Sequence, residues 1–156
     1  MALLNSRQNY KGDYDANLIE QWSKCVEMAN ASSDKRISSN NVFITINAAL
    51  IAILQFTSGW HDALISIVGV VVSSLWYATI KSYRELNTVK YMLINRMEKE
   101  LPSLPFTEEW RLLKKNKKYT ALTKIEQWLP FIFIVLFIIT ICISLLSSCG
   151  SVTQHP

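Results

Sequence analysis

The chain has 156 residues and a formal net charge of +4 at pH 7, and 50% of its residues are hydrophobic. Its mean hydropathy of +0.17 is high for a soluble domain, so the composition argues against a soluble globular protein and favours a membrane protein. A helix needs about 20 mostly apolar residues to cross a hydrocarbon core of roughly 30 Å, and three stretches meet this requirement.

Residues 1–41 are predicted to form a cytoplasmic segment with an amphipathic helix. Its apolar stripe follows steps of four, three and four residues, which is helical periodicity: Leu18, Trp22, Cys25 and Ala29. No proline or glycine separates this stripe from the first apolar stretch. The helix is therefore expected to continue into the membrane.

The sequence predicts a transmembrane hairpin at residues 42–80, in which uncharged stretches at 42–60 and 63–80 are joined by a tight turn near residues 60–62. A third span is predicted at residues 129–150, followed by an external tail at 151–156. The fold class is thus an all-α integral membrane protein with three transmembrane helices, a hairpin plus a C-terminal span, and cytoplasmic helical extensions.

Residues 81–128 are predicted to be a cytoplasmic helical segment. An apolar stripe indicates that the second spanning helix projects into the cytoplasm: Tyr83, Leu86, Val89, Leu93 and Met97. Glu98 and Glu100 are interpreted as a solvated face, and Thr107 as the N-cap of a short helix. The basic run KKNKKY follows at residues 114–119.

The distribution of basic residues predicts the orientation. All sixteen lysines and arginines precede the first span or lie between the second and third. Because such residues accumulate on the cytoplasmic side, the N-terminus is expected inside and the C-terminus outside a bacterial inner membrane.

Polar side chains within the spans leave two interpretations open. Asn47 and Gln55 lie with Asn40 within about 80° of one helical face, and Thr140, Ser144 and Ser147 recur along the third span. These polar groups are candidates to line a pore, or they fasten helices to one another. A small-residue face on the second span is interpreted as a packing surface: Ser66, Gly69, Ser73 and Tyr77. A bulky group on the third span could form a dewetting gate, but lipid contact is expected for most of it: Phe131, Phe133, Ile134 and Phe137.

The basic run also has two interpretations. Lysines beside a span anchor its cytoplasmic end and meet anionic lipid at about 1 kcal/mol each. Alternatively, copies in a ring would concentrate a positive collar that attracts a nucleotide or oligonucleotide, with an aromatic ring for stacking. The candidate ligand-binding residues are Arg111, Lys114, Lys115, Lys117, Lys118 and Tyr119.

The runs SSNNVFITINAALIAIL, LWYATIKSYRELNTVKYMLINRMEKELPSLPFTEEW and KKYTALTKIEQWLPFIFIVLF resemble the RipA-type octameric membrane protein family. The resemblance covers roughly residues 15–140. It implies a bacterial inner-membrane protein that forms a ring-like homo-oligomer, for which four to eight copies are considered. In size, topology and basic cytosolic face the chain is also similar, more weakly, to the membrane channel effector of Hailong-type anti-phage defence, which implies control by a nucleotidyltransferase-like partner.

The residue inventory gives no reason to expect an enzyme. Both histidines, His61 and His155, fall on the expected outer side, so a cytoplasmic metal site or Cys/His pair has no histidine. No metal or cofactor is predicted. The predicted function is an oligomeric effector that forms or gates an ion-conducting pore, and the alternative is a non-conducting scaffold or accessory subunit.

Overall fold

The computed structural model describes residues 6–115 and 125–151, and within these ranges the chain is helical and has no strand. A short 3-10 turn at Arg7–Asn9 precedes the helices α1 (Tyr14–Leu54), α2 (Trp60–Glu98), α3 (Pro105–Lys115) and α4 (Trp128–Ser151). Helices α1, α2 and α4 are long and apolar enough to cross a membrane. The prediction of an all-α fold with three spanning helices is confirmed.

Helix α1 begins after Asp13, whose Oδ1 accepts the backbone N–H of Ala16 at 3.0 Å. This contact satisfies one of the N–H groups that a helix start leaves without a partner. The helix then runs for 41 residues to Leu54, a length of about 60 Å at 1.5 Å per residue. The expected continuation of the N-terminal helix into the first span is therefore observed.

The tight hairpin between α1 and α2 is present, but its turn lies at residues 55–59 and not near residues 60–62. Gly59 adopts φ +69°, a left-handed conformation that suits glycine. The Thr57 hydroxyl donates to Asp62 Oδ1 at 2.5 Å across the turn. Backbone conformation at Gly59, and not the end of the apolar run, thus decides where α2 begins.

The chain divides into two compact units. The span unit comprises residues 36–82 and 120–156, and the arm unit comprises residues 1–35 and 83–119. Helices α1 and α2 each contribute residues to both units.

The core of the span unit forms around two aromatic side chains. Trp76 of α2 is fully buried, and its ring centroid lies 6.0 Å from that of Phe43 on α1 and 6.0 Å from that of Phe133 on α4. Phe137 of α4 is 1% exposed, and it packs so closely on Gly69 that an added Cβ would lie 2.5 Å from the ring. The three spanning helices therefore meet in one packed bundle.

These contacts decide two of the predictions. The small-residue face of α2 is a packing face, as predicted, since Ser66 and Ser73 are fully buried and Gly69 accommodates the ring of Phe137. For Phe137 the expectation of lipid contact is wrong. Its ring occupies the space that the missing Gly69 side chain leaves.

In the arm unit, α1 packs against α2 through the predicted stripe. Leu18 and Ala29 are 4% and 0% exposed, and Cys25 Sγ lies 4.0 Å from Met97 Sδ. Phe106 of α3 contacts Trp22, with ring centroids 5.8 Å apart. Helix α3 is thereby attached to the paired arms of α1 and α2.

The predicted stripe on the α2 arm is wrong in part. Leu86 and Val89 are about half exposed, whereas Ile94 is fully buried. The inner positions are taken by Asn87 and Lys90, which donate to Ser33 Oγ at 3.2 Å and to the Met28 carbonyl at 2.8 Å. Because Asn87 and Lys90 find hydrogen-bonding partners on α1, polar residues can occupy the side of α2 that faces α1. Leu86 and Val89 therefore lie on the exposed side of α2.

Candidate functional site

The polar groups inside the span unit bond to one another within a single chain. Asn47 is fully buried; its Nδ2 donates to the Phe43 carbonyl at 2.8 Å, and its Oδ1 accepts the Ser73 hydroxyl at 2.8 Å. Asn40 Oδ1 accepts the indole N–H of Trp76 at 2.9 Å. An amide that is satisfied in this way fastens α1 to α2, so the protomer leaves Asn47 no free face toward a water path.

The candidates on α4 follow the same pattern. Ser144 is 5% exposed and donates to the Gly59 carbonyl at 2.5 Å. Ser147 donates to the Ser144 carbonyl at 2.9 Å, and Thr140 donates to the Leu136 carbonyl at 3.1 Å. Ser144 thus fastens α4 to the hairpin turn, while Thr140 is half-buried and Ser147 lies on the surface.

An ion pair lies at the start of the uncharged part of α1. Arg36 Nη1 is 3.1 Å from Glu126 Oε2, with side chains 11% and 13% exposed. A nearly buried pair is costly to break, because the remaining charge would be left without compensation. The pair joins α1 to the segment that leads into α4, and the sequence analysis did not anticipate it.

A second polar face lies on the outside of α1. Its members are spaced by four, three, four and three residues, and all of them are exposed: Asn41, Thr45, Ala48, Ala52 and Gln55. At 100° per residue they fall within an arc of about 80°, away from the side that packs on α2. Of the predicted pore candidates only Gln55 belongs to this face, hereafter the outer face of α1; it lies just beyond the last helical residue.

The outer face of α1 was not predicted, although its alternation of three- and four-residue steps is visible in the sequence. Two asparagines, Asn40 and Asn41, are adjacent and point to different sides of the helix. The structure assigns Asn40 to the interior and Asn41 to the exterior. Periodicity alone gives both faces and does not say which one packs on α2.

The described part of the basic segment lies on α3. Arg111, Lys114 and Lys115 are exposed in its last turns. Arg111 is ion-paired with Glu108, and its Nε donates to Glu108 Oε2 at 2.7 Å. These hydrogen bonds hold the pKa of the Glu108 carboxyl below its ordinary value and raise that of Arg111. Lys117, Lys118 and Tyr119 lie outside the described residues.

Glu98 determines where α3 begins, and the expectation that it is solvated is wrong. Its side chain is fully buried. Its carboxylate accepts the backbone N–H groups of Phe106 and Thr107 at 2.8 and 3.0 Å and the Thr107 hydroxyl at 2.7 Å. A carboxylate at a helix N-terminus satisfies free N–H groups and interacts favourably with the helix dipole. Thr107 is therefore a donor to Glu98 and not the N-cap itself.

Comparison with known proteins gives one positive result. A model of the octameric membrane protein family (8xMP) matches residues 19–146, which include all of α2 and α3 and most of α1 and α4. Searches of curated proteins and of solved structures found no match. With more than half of its length matched, the chain belongs to the octameric membrane protein family, and it is an oligomeric membrane protein.

Proposed function

We propose that copies of this chain form an ion-conducting pore in the bacterial inner membrane, lined by the outer face of α1. The observation that supports this proposal is the exposure of Asn41 and Thr45 on the uncharged part of α1, with exposed Gln55 just beyond the end of that helix. A side-chain amide is costly in hydrocarbon and needs a partner or water. Assembly around a central axis would give this face water.

The dimensions of the outer face suit a pore. From residue 41 to residue 54 the helix rises about 20 Å at 1.5 Å per residue, which is about two thirds of a hydrocarbon core of roughly 30 Å. Ala48 and Ala52 occupy its middle. Small side chains leave space along the axis, and the hydroxyl and amide groups on either side could interact with a partly hydrated ion.

This proposal replaces most of the lining expected from the sequence. Asn47 and Ser144 bond within the protomer, which supports a fastening role for them. Gln55 is retained as a lining residue. Thr140 and Ser147 are assigned to α4 surfaces away from the axis.

The control of the pore is assigned to α3. Arg111, Lys114 and Lys115 are exposed there, and a ring of copies multiplies their positive potential. Trp110, 38% exposed beside them, offers a stacking surface. An anionic ligand, a nucleotide or oligonucleotide, is therefore proposed to bind α3 and the lysines that follow it. A role as a non-enzymatic anti-phage effector with a nucleotidyltransferase-like partner rests on the weaker family resemblance.

Ion flux from liposomes that contain the purified oligomer tests the proposal. We expect flux that changes when short oligonucleotides are added on the side that carries α3. Protein with Lys114→Gln and Lys115→Gln should conduct but respond less to the oligonucleotide. A folded oligomer that conducts under neither condition would contradict the pore.

A non-conducting scaffold is the second candidate. It is favoured by the hydrogen bonds that Asn40 and Asn47 make inside one protomer, because polar span residues then have a role without any water path. In that case the outer face of α1 would pack against other copies, as small and polar faces do in membranes. The same flux measurement separates the two candidates.

A further inference from the structure

The part of α2 that belongs to the arm unit has an apolar face that no described residue of the same chain covers. Leu86, Val89 and Met92 are 47%, 53% and 50% exposed. They follow one another at steps of three, and Val89 and Met92 lie about 140–160° around α2 from Asn87 and Ile94, which face α1 and the arm core. Leu86 lies at the edge of this face, about 80–100° from the same two residues. This set of three residues is hereafter the α2 arm face.

Lipid does not account for this face. Charged residues surround it along the same helix, among them Arg84, Lys90 and Arg96. Each charge placed in the centre of a spanning helix costs about 2.5–3.5 kcal/mol on insertion scales. The α2 arm face therefore lies in water unless protein covers it, and the chain is an oligomer.

The contacts inside the arm unit fix which residues of α1 and α2 are level with one another. Asn87 bonds Ser33, Lys90 bonds the Met28 carbonyl, and Met97 touches Cys25. Residue numbers fall on α1 as they rise on α2, so Val89 is level with Ala31. By the same 1.5 Å steps, Met92 is level with Met28, and Glu85 with Lys35.

The back of the α1 arm offers a matching surface. Ala31 is exposed on the side away from α2, and Met28 is 60% exposed. Copies in one membrane lie at the same depth and have the same orientation relative to the bilayer. In a ring, each copy therefore presents one side to its neighbour's other side, a heterologous contact.

We propose that the α2 arm face of one copy packs against the back of the α1 arm of the next copy. Val89 then meets Ala31, Met92 meets Met28, and Glu85 lies opposite Lys35. At one end of the apolar centre Glu85 and Lys35 carry opposite charges, which favours this register. At the other end Arg96 is level with Lys24, whose charge is paired with Glu27 at 2.9 Å. This interface is independent of whether the assembly conducts ions.

Two measurements on the detergent-solubilised full chain test the interface. Val89→Glu should remove the oligomer of wild-type mass in native mass spectrometry, since the carboxylate would be buried without a partner. Arg84→Glu, at an exposed position about 140° from Val89 and 80° from Met92 around α2, should keep that mass. An unchanged mass for Val89→Glu, or equal loss for both variants, would overturn the proposal.

Disulfide formation gives an answer even where Val89→Glu fails to fold. In a background with Cys25→Ala, Cys142→Ala and Cys149→Ala, the pair Val89→Cys plus Ala31→Cys should yield a ladder of cross-linked species on oxidation. Each single variant should yield none. Absence of the ladder, or dimers from Val89→Cys alone, would overturn the heterologous contact.

Discussion

Glu98 shows how one buried carboxylate can organise the chain around it. It ends α2 and accepts three hydrogen bonds from the start of α3. Charge-assisted hydrogen bonds of this kind contribute about 1.5–3 kcal/mol each when formed. The position of α3, and with it that of Arg111 and the lysines, therefore depends on a residue outside the helix.

Glu98→Gln should release α3. Both carboxylate oxygens of Glu98 accept hydrogen bonds, whereas a glutamine side chain has one oxygen and an NH2 group that cannot accept them. Each donor left without a partner costs about 1–3 kcal/mol. We expect faster trypsin cleavage after Arg111, Lys114 and Lys115, and mass spectrometry of the fragments over time measures the rate. Glu100→Gln, an exposed residue two positions on, serves as the control. Equal cleavage rates for wild type and Glu98→Gln would show that α3 is held by other contacts.

The helices of the span unit are joined by a few close contacts. Gly69 on α2 and Phe137 on α4 fit together without space for a methyl group, while Asn47 and Ser73 join α1 to α2. The bundle thus combines one tight apolar contact with interhelical hydrogen bonds, which in membranes contribute only about 0.6–2 kcal/mol each.

Gly69→Ala should destabilise this bundle. The added Cβ would lie 2.5–2.6 Å from three atoms of the Phe137 ring. Overpacking of this kind costs about 1–3 kcal/mol. Thermal unfolding of the protein in detergent should show a lower Tm. Phe137→Leu in the same chain should recover part of the loss, because the smaller side chain leaves space. A Tm that Gly69→Ala leaves unchanged would contradict the close packing.

Helical periodicity predicted some elements and failed at others for physical reasons. The stripe from Leu18 to Ala29 was predictable because its inner residues are mostly apolar. The stripe on the α2 arm was not, since Asn87 and Lys90 lie inside through partners on α1. In the candidate site, periodicity places Asn47 on a polar face of α1, but its hydrogen-bond partner Ser73 lies 26 residues away in sequence, on α2. Periodicity within one helix does not show which residues of two helices contact each other.

At the scale of the whole molecule, the polar residues of the spans fall into two sets: buried ones that join helices of one protomer and exposed ones on its surface. Asn47 belongs to the first set, and Thr45 on the outer face of α1 to the second. Because the chain belongs to an octameric family, part of this surface is expected to contact other copies of the chain. The proposed pore and the proposed arm interface use different surfaces of the chain, so either can be tested without the other.

The most direct measurement compares Thr45→Cys with Asn47→Cys in the cysteine-free background, as ion flux from proteoliposomes before and after a membrane-impermeant methanethiosulfonate. Thr45 is exposed on the outer face, whereas Asn47 is fully buried two residues away. A pore lined by the outer face predicts that modification reduces flux through Thr45→Cys and leaves Asn47→Cys unchanged. Flux that modification changes only in Asn47→Cys, or in neither variant, would contradict this account.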